Sequence, residues 1–511
     1  MKKFVIICFV IALTSCSKSF LDRSSLTQLS VDNFWKNESD AVLAINGIYD
    51  VLQDRVLYSG NLNGTAGIPQ YDCFSDNMFG GYKFEGPGNY MEANIDPSNG
   101  FFSQLWNSLY KGIGRANSFL ENVEKIPATA ITDARKKELR GQALFLRAMF
   151  YQHLAFYFEE APLVLKVQTL PESYVTKNTY QELNAQVIKD LTEAIPLLPV
   201  TYPASQYGYA TKGAALGILA RTQLYNKDYQ GVITTTDQLL TLGYTLNASY
   251  PQLFTEAGEF SKEIVFSVRF NQDISNNNEL FSGTFLGAPR INTLPMPNLV
   301  NDYYCTDGKP ITTSPLYRSA TPKLNRDPRL LANVHFTGDI FLTDLNRAFT
   351  GNTATRFGQK KYIRTAASTS GIAVFSPGGQ DFIVLRYADV LLMRAEALVE
   401  LNQLTEATTL VNQVRARVSM PTVAAAEGTG LSQAAMRDVV RHERRVELAF
   451  EGLRFYDLKR WGAMQQAFTA IAADRVAGYV ATFRGAKSTS FPIPQTELNA
   501  NNKLTQNAAW Q

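Results

Sequence analysis

Histidine and cysteine are nearly missing from this 511-residue chain, with three of the first and four of the second. His153, His335 and His442 stand far apart, so no metal centre built on histidine is expected. The run His442-Glu443-Arg444-Arg445-Val446 begins like the zinc motif H-E-x-x-H, but Val446 stands where the second histidine belongs. A G-x-S-x-G elbow, a P-loop and a G-x-G-x-x-G turn after a strand are also missing. The 46 acids show no spacing that selects a carboxylate pair for glycoside hydrolysis. These absences exclude the common catalytic classes, and neither an enzyme nor a cofactor is expected. Cys8 and Cys16 fall in the first 16 residues, which leaves Cys73 and Cys305, too few for a disulfide framework. Whether that pair bridges stays open. Charge of one sign is lacking too. The net charge of +3 includes Lys2 and Lys3 of a leader segment, so neither nucleic acid nor an anionic membrane surface is an expected partner.

Long hydrophobic runs are absent as well. Phe4 to Leu13 is apolar, but a spanning helix needs roughly 20 such residues. Two lysines, a short apolar run and small residues after it make a secretory signal, residues 1–15. Leu13-Thr14-Ser15-Cys16 resembles a bacterial lipobox, which implies a diacylglyceryl group on Cys16. Each buried methylene contributes about 0.8 kcal/mol, so several acyl chains would hold the protein at a membrane. Residues 16–30 then read as the lipidated cysteine and a polar leash.

What the chain does have is helical periodicity. Apolar residues recur at helical spacing over Asn33 to Leu57, Phe102 to Val123, Asp133 to Phe158, Tyr180 to Leu198, Lys212 to Leu242 (with a break near Asn226-Lys227-Asp228), Leu385 to Val418, and Ser432 to Gly462. Glu263 to Phe270, Asp381 to Leu385 and Thr489 to Ile493 read as short strands. Three helices share a face: Leu144, Arg147, Ala148, Tyr151; Ile218, Arg221, Thr222, Tyr225; Leu391, Arg394, Ala395, Leu398. A small residue between two large ones lets a second helix approach, and the following breaks give helix-turn-helix pairs of tetratricopeptide size without a regular period. The fold class is therefore mainly α, a scaffold of tetratricopeptide-like helix pairs with long loops and a few short strands.

Residues 441–462, RHERRVELAFEGLRFYDLKRWG, are dense in charge, with Arg444 and Glu447, and Glu451 and Arg454, three apart. The expectation is a helix ended near Gly452 and held to its neighbours by arginines. Such opposed charges satisfy one another and make a poor active site. This block, the lipobox with Phe20-Leu21-Asp22 after it, RGQALFLRAMFYQHLAFYF, RYADVLLMRAEAL and the tail FPIPQTELNANNKLTQNAAW occur in the order of the SusD/RagB family, which the chain resembles over nearly its whole mature length. One departure is Glu159-Glu160-Ala161-Pro162, where such proteins turn through a glycine. The resemblance implies one SusD-like domain, 31–511, with an N-terminal part at about 31–230 and a C-terminal RagB/SusD part at about 260–511. It also implies an outer-membrane lipoprotein of Bacteroidota, facing the cell exterior, that binds nutrient oligomers, usually glycans. Its partner would be a SusC-like TonB-dependent transporter.

Two stretches, roughly 59–101 and 271–380, carry Gly, Pro, Asn and Tyr with weak periodicity. Nine of the 36 residues from Tyr71 to Trp106 are aromatic. A sugar ring needs a flat aromatic wall and short polar groups, which selects Tyr71, Phe79, Tyr82, Tyr90, Asn298 and Tyr304 as candidate ligand contacts. The rival reading is a helical-repeat scaffold, or a peptide-binding lipoprotein, without a glycan ligand. The scaffold predicts that all these rings are buried.

Overall fold

The computed structural model describes residues 34–60, 67–80, 90–274, 276–282, 293–343, 346–351, 354–364 and 378–511. The long helices are α1 (Glu38–Leu52), α2 (Gly100–Asn122), α3 (Asp133–Phe158), α4 (Tyr180–Ala194), α5 (Lys212–Tyr225), α6 (Tyr229–Leu240), α7 (Tyr387–Glu400), α8 (Leu404–Arg417), α9 (Gln433–Leu448) and α10 (Met464–Asp474). Their starts follow from local chemistry. Asn37, Thr132, Thr179, Thr211, Asp228 and Ser432 each accept a hydrogen bond from the backbone N–H three residues on. A cap of this kind is worth about 1 kcal/mol. Each helix packs on the next from α1 through to α8, and α9 returns onto α7, so the chain is a stack of helix pairs.

The arginine of the shared face has a repeated task. Arg147 of α3 grips Asp190 of α4 through two bonds of 2.8 and 2.7 Å. Arg221 of α5 reaches Asp389 of α7 at 2.7 Å, and Arg394 of α7 holds Glu406 of α8 and Asp237 of α6, both at 2.7 Å. Each copy thus clamps its helix to one packed against it, and all three arginines are buried. Where α2 crosses α3, Gly112 lets the backbones close, since a Cβ there would meet the Phe150 ring at 2.3 Å.

Among the described residues, eight short strands form four antiparallel pairs: β1 (Met78–Gly80) with β3 (Thr293–Pro295), β2 (Ile264–Val268) with β8 (Phe382–Arg386), β4 (Val334–Phe336) with β7 (Phe357–Gln359), and β5 (Ile340–Leu342) with β6 (Arg347–Ala348). Two of the predicted strands are thus β2 and β8, paired with each other across the fold. Thr489 to Ile493 is not a strand. Its backbone is satisfied otherwise, with Phe491 N donating to Tyr157 O at 2.7 Å and Asn507 Nδ2 donating to Phe491 O at 2.7 Å. The helical pattern over 432–462 is interrupted where the charged block is expected to end its helix: Phe450 and Gly452 take φ of +66° and +73° before a short helix resumes at Arg454–Arg460. Asp72 steadies that turn by accepting from Phe450 N at 2.7 Å. Glu159, which stands where the resemblance leads one to expect glycine, adopts φ of +63° and is held by Lys459 at 2.9 Å. One hydrophobic cluster runs from Ala41 to Leu504 and joins early and late segments of the chain. Cys73 and Cys305 are both buried and are not bridged to each other.

Candidate functional site

The two loop-rich stretches bind each other. The β1–β3 pair joins them, as does Leu280 N, which donates to Ser59 O at 2.8 Å; within the second stretch Arg364 N donates to Ser282 O at 3.0 Å, and Glu279 and Gly378 exchange bonds of 2.9 and 2.8 Å. The residues flanking 61–66, 81–89, 283–292 and 365–377 are therefore fastened into a common frame.

Within that frame, three expected contacts are core residues, which corrects their selection as an open stacking wall. Tyr71 has 0 % exposure, its hydroxyl donates to Val56 O at 3.3 Å, and its ring lies 5.1 Å from Phe74 and 5.3 Å from Tyr157. Tyr90 is likewise closed in by Phe74 and Phe491, with its hydroxyl on Lys487 O at 2.9 Å. Phe79 packs 4.3 Å from Tyr479 and is also buried. The reason is area: a ring buries about 150–250 Å², and a loop this rich in rings stabilises itself by turning them inward. Tyr82 and Cys16 lie outside the described residues.

Asn298 and Tyr304 come together on a different face, against α9. Asn298 donates to Asp474 Oδ2 at 2.5 Å and accepts from Arg445, so its amide is already engaged. Tyr304 is half-buried and stacks on His442 at 3.8 Å. Arg445 continues to Asp302 at 3.0 Å and to Asp76 at 3.1 Å, and Arg454 reaches Asp76 at 2.8 Å. The five expected residues that are described are thus not gathered in one site.

The charged block is held by arginines, as its composition leads one to expect, but through other partners than its sequence neighbours. Arg444 bonds Asp389 and Asp457, and Glu447 accepts from Arg329, Arg386 and Arg417. Glu443 takes Arg329 and Arg415, and Glu451 takes Arg386 and Lys361. Burial alone would raise the Glu447 carboxyl; Arg417, Arg386 and Arg329 overcome it and hold the group well below the carboxylate range. These acids are matched and immobile, which is structural chemistry. No group of three or more His, Cys, Asp or Glu suited to a metal ion occurs among the described residues.

Rings that do face a depression lie elsewhere, and the sequence reading missed them. Tyr202, Tyr207 and Tyr209 sit on the α4–α5 connection, and Tyr49 of α1, Tyr244 and Phe260 meet them there. Depressions of about 230 and 390 Å³ lie on either side of residues 207–209, floored by Phe266 and Ser267 of β2. Each tyrosine hydroxyl is engaged. Tyr207 donates to Glu259 O at 2.5 Å and Tyr209 to Asn46 Oδ1 at 2.8 Å. Tyr49 accepts from Ala210 N at 2.8 Å, Tyr202 accepts from Gln142 at 2.9 Å, and Tyr244 lies 3.3 Å from Thr211 Oγ1. Three tyrosines within eight residues that also hold Pro203 and Gly208 were the available signal. Such an arrangement offers flat apolar walls with a polar rim, suited to holding a ring-shaped amphipathic ligand.

Two family models cover most of the chain: residues 19–224 match one described as starch-binding associating with outer membrane, and residues 262–510 match one described as the SusD family. The SusD-like protein P25 of Formosa agariphila is 27 % identical over 494 residues, covering 90 % of each chain. A SusD-like carbohydrate binding protein from Bacteroides fragilis superposes with a TM-score of 0.80 at 28 % identity, over 92 % of this chain and 100 % of that one. The surface glycan-binding protein A of Bacteroides thetaiotaomicron, in complex with laminarihexaose, shares the fold at a TM-score of 0.72 and 20 % identity, over 92 % and 100 % of the two chains.

Proposed function

The chain belongs to the SusD family, and from that premise we propose that it captures oligosaccharides at the outer surface of the cell and passes them to a SusC-like TonB-dependent transporter. The observation that carries the reading is the similarity, over nearly all of both chains, to a SusD-like carbohydrate binding protein of Bacteroides fragilis. The description of the model matched by residues 19–224 supports a place at the outer membrane. We read Cys16 as the lipid anchor and residues 31–511 as one folding unit, on the ground that a single hydrophobic cluster joins Ala41 to Leu504. Among the described residues no helix is long and apolar enough to cross a membrane. We also read the protein as binding without turnover, because the acids of the charged block are each matched by arginine or lysine.

One observation favours the scaffold reading: Tyr71, Phe79 and Tyr90 are buried, as a scaffold without a sugar ligand requires. The ring-lined depressions beside 202–209 favour binding. A glycan array followed by calorimetry decides between them, since a scaffold holds no glycan and a capture protein holds at least one class. Chromatography of the titrated ligand should return the chain length unchanged; shorter products in proportion to protein would sink the non-enzyme reading. Mass spectrometry of membrane fractions should find an acylated N-terminus at Cys16, and a Cys16→Ala protein should leave the membrane fraction.

A further inference from the structure

We propose that the cleft beside residues 202–209 is a carbohydrate site in its own right, taking pyranose rings of an oligosaccharide by stacking on Phe260, Tyr207 and Tyr209. This rests on the glycan-binding reading and names the place where it is carried out. Phe260 leads the argument. It is 65 % exposed at the rim of the smaller depression, 4.8 Å from the Tyr207 ring. A single exposed ring is ordinary on a protein surface. This one continues a wall in which Tyr209 lies 5.3 Å from Tyr49 and 5.7 Å from Tyr202.

The wall is set before any ligand arrives. Its hydroxyls are fixed by the bonds given above, so stacking a sugar loses little side-chain freedom. Beside it, in the lining of the larger depression, runs Arg269, whose guanidinium lies 4.9 Å from the Tyr207 centroid and 5.2 Å from that of Phe260. Its Nε is 3.1 Å from the buried Asp381, and Gln53 donates to its carbonyl at 2.6 Å. Gly208 makes this close passage possible: it has φ of +108°, and a Cβ there would meet Arg269 Cγ at 2.6 Å. Arginine thus braces the two rings by cation–π contact, with its Nε turned toward Asp381. Recognition falls to ring faces and to short rim groups such as Asn46, Gln53, Ser205 and Asn277. That combination suits an uncharged ring with an apolar face and hydroxyls around its edge. The trough is open on both sides of residues 207–209, which fits the interior of a chain better than an enclosed single sugar.

The test is calorimetric titration of the purified full chain with laminarihexaose, maltohexaose and xylohexaose, with the strongest binder from the array as a fourth titrant. Parent protein should bind at least one. Phe260→Ala and Tyr207→Ala should weaken that binding about 10- to 30-fold, while Tyr207→Phe, which keeps the ring, stays within about two-fold of the parent. Phe260→Ala removes an exposed ring and should melt like the parent, so a folding defect does not obscure the result. If both alanine variants bind as the parent does, the cleft assignment is wrong and the glycan reading survives. If the parent binds none of the four and the array stays blank, both fail.

Discussion

Tyr71, Tyr90 and Phe101 pack edge to face around Phe74 and Phe491, whereas Tyr202, Tyr207 and Tyr209 line the two sides of an open trough. Both regions pin tyrosine hydroxyls, so pinning alone does not decide exposure. What differs is the number of layers behind and in front. Tyr71 and Tyr90 have α2, α3 and the 487–491 segment around them, while Tyr207 and Tyr209 are backed by β2 and have water in front. Aromatic density therefore measures how much a loop contributes to the core, and the number of covered faces decides whether a ring can meet a ligand.

The largest effect that would break this contrast is Tyr90→Ala. Emptying a fully buried ring position should cost about 3–5 kcal/mol in urea unfolding, and the folded fraction should keep the parent's glycan affinity. Parent-like stability would show that the frame is loose. Next comes Asp76→Ala, which leaves the Arg445 and Arg454 guanidinium groups without their shared partner. Stranding largely buried charge should cost about 3 kcal/mol, again read by urea titration.

A pH experiment sharpens the same contrast through His335 of β4, in the loop frame. Burial pushes its pKa down from 6.5 to about 4, with Lys360 adding to the effect, and both ring nitrogens are buried with no hydrogen-bond partner among the described residues. The folded state therefore keeps the ring neutral while the unfolded chain binds a proton, so stability is lost as pH falls from about 6.5 toward 4. Between pH 7 and pH 4.5 the loss from this group should be about 2 kcal/mol. His335→Phe should flatten that part of the stability profile, and an unchanged profile would remove His335 as its source. Smaller still is Tyr304→Ala, where a half-buried stack on His442 is lost: about 1 kcal/mol of stability, with glycan affinity within about two-fold of the parent. A larger affinity loss would move recognition from the cleft to the face of α9.

Most helices were legible because caps and periodicity are local: Thr179 with Glu182, or the break at Asn226 to Asp228, can be read within a few residues. The partners of the charged block were not, since Glu447 finds Arg329, Arg386 and Arg417 at distances in sequence that no spacing rule covers. Thr489 to Ile493 has strand composition, yet its hydrogen bonds go to the end of α3 and to a tail side chain. The cleft escaped for the same reason as the charged block. Its wall draws Tyr49 and Phe260 from opposite sides of the 202–209 turn in sequence, while attention goes to wherever aromatics crowd along the chain.

The tail sets the timetable of folding. Phe491 stacks on Tyr157 at 5.1 Å, the Trp510 ring lies 6.4 Å from Phe102, and Asn507 closes on Phe158 O across 349 residues. The aromatic centre made by the early part of the chain therefore stays unroofed until the last segment has emerged, and contacts of such long range form slowly. Until then that aromatic surface is open to other chains, so the unfinished protein is prone to aggregate.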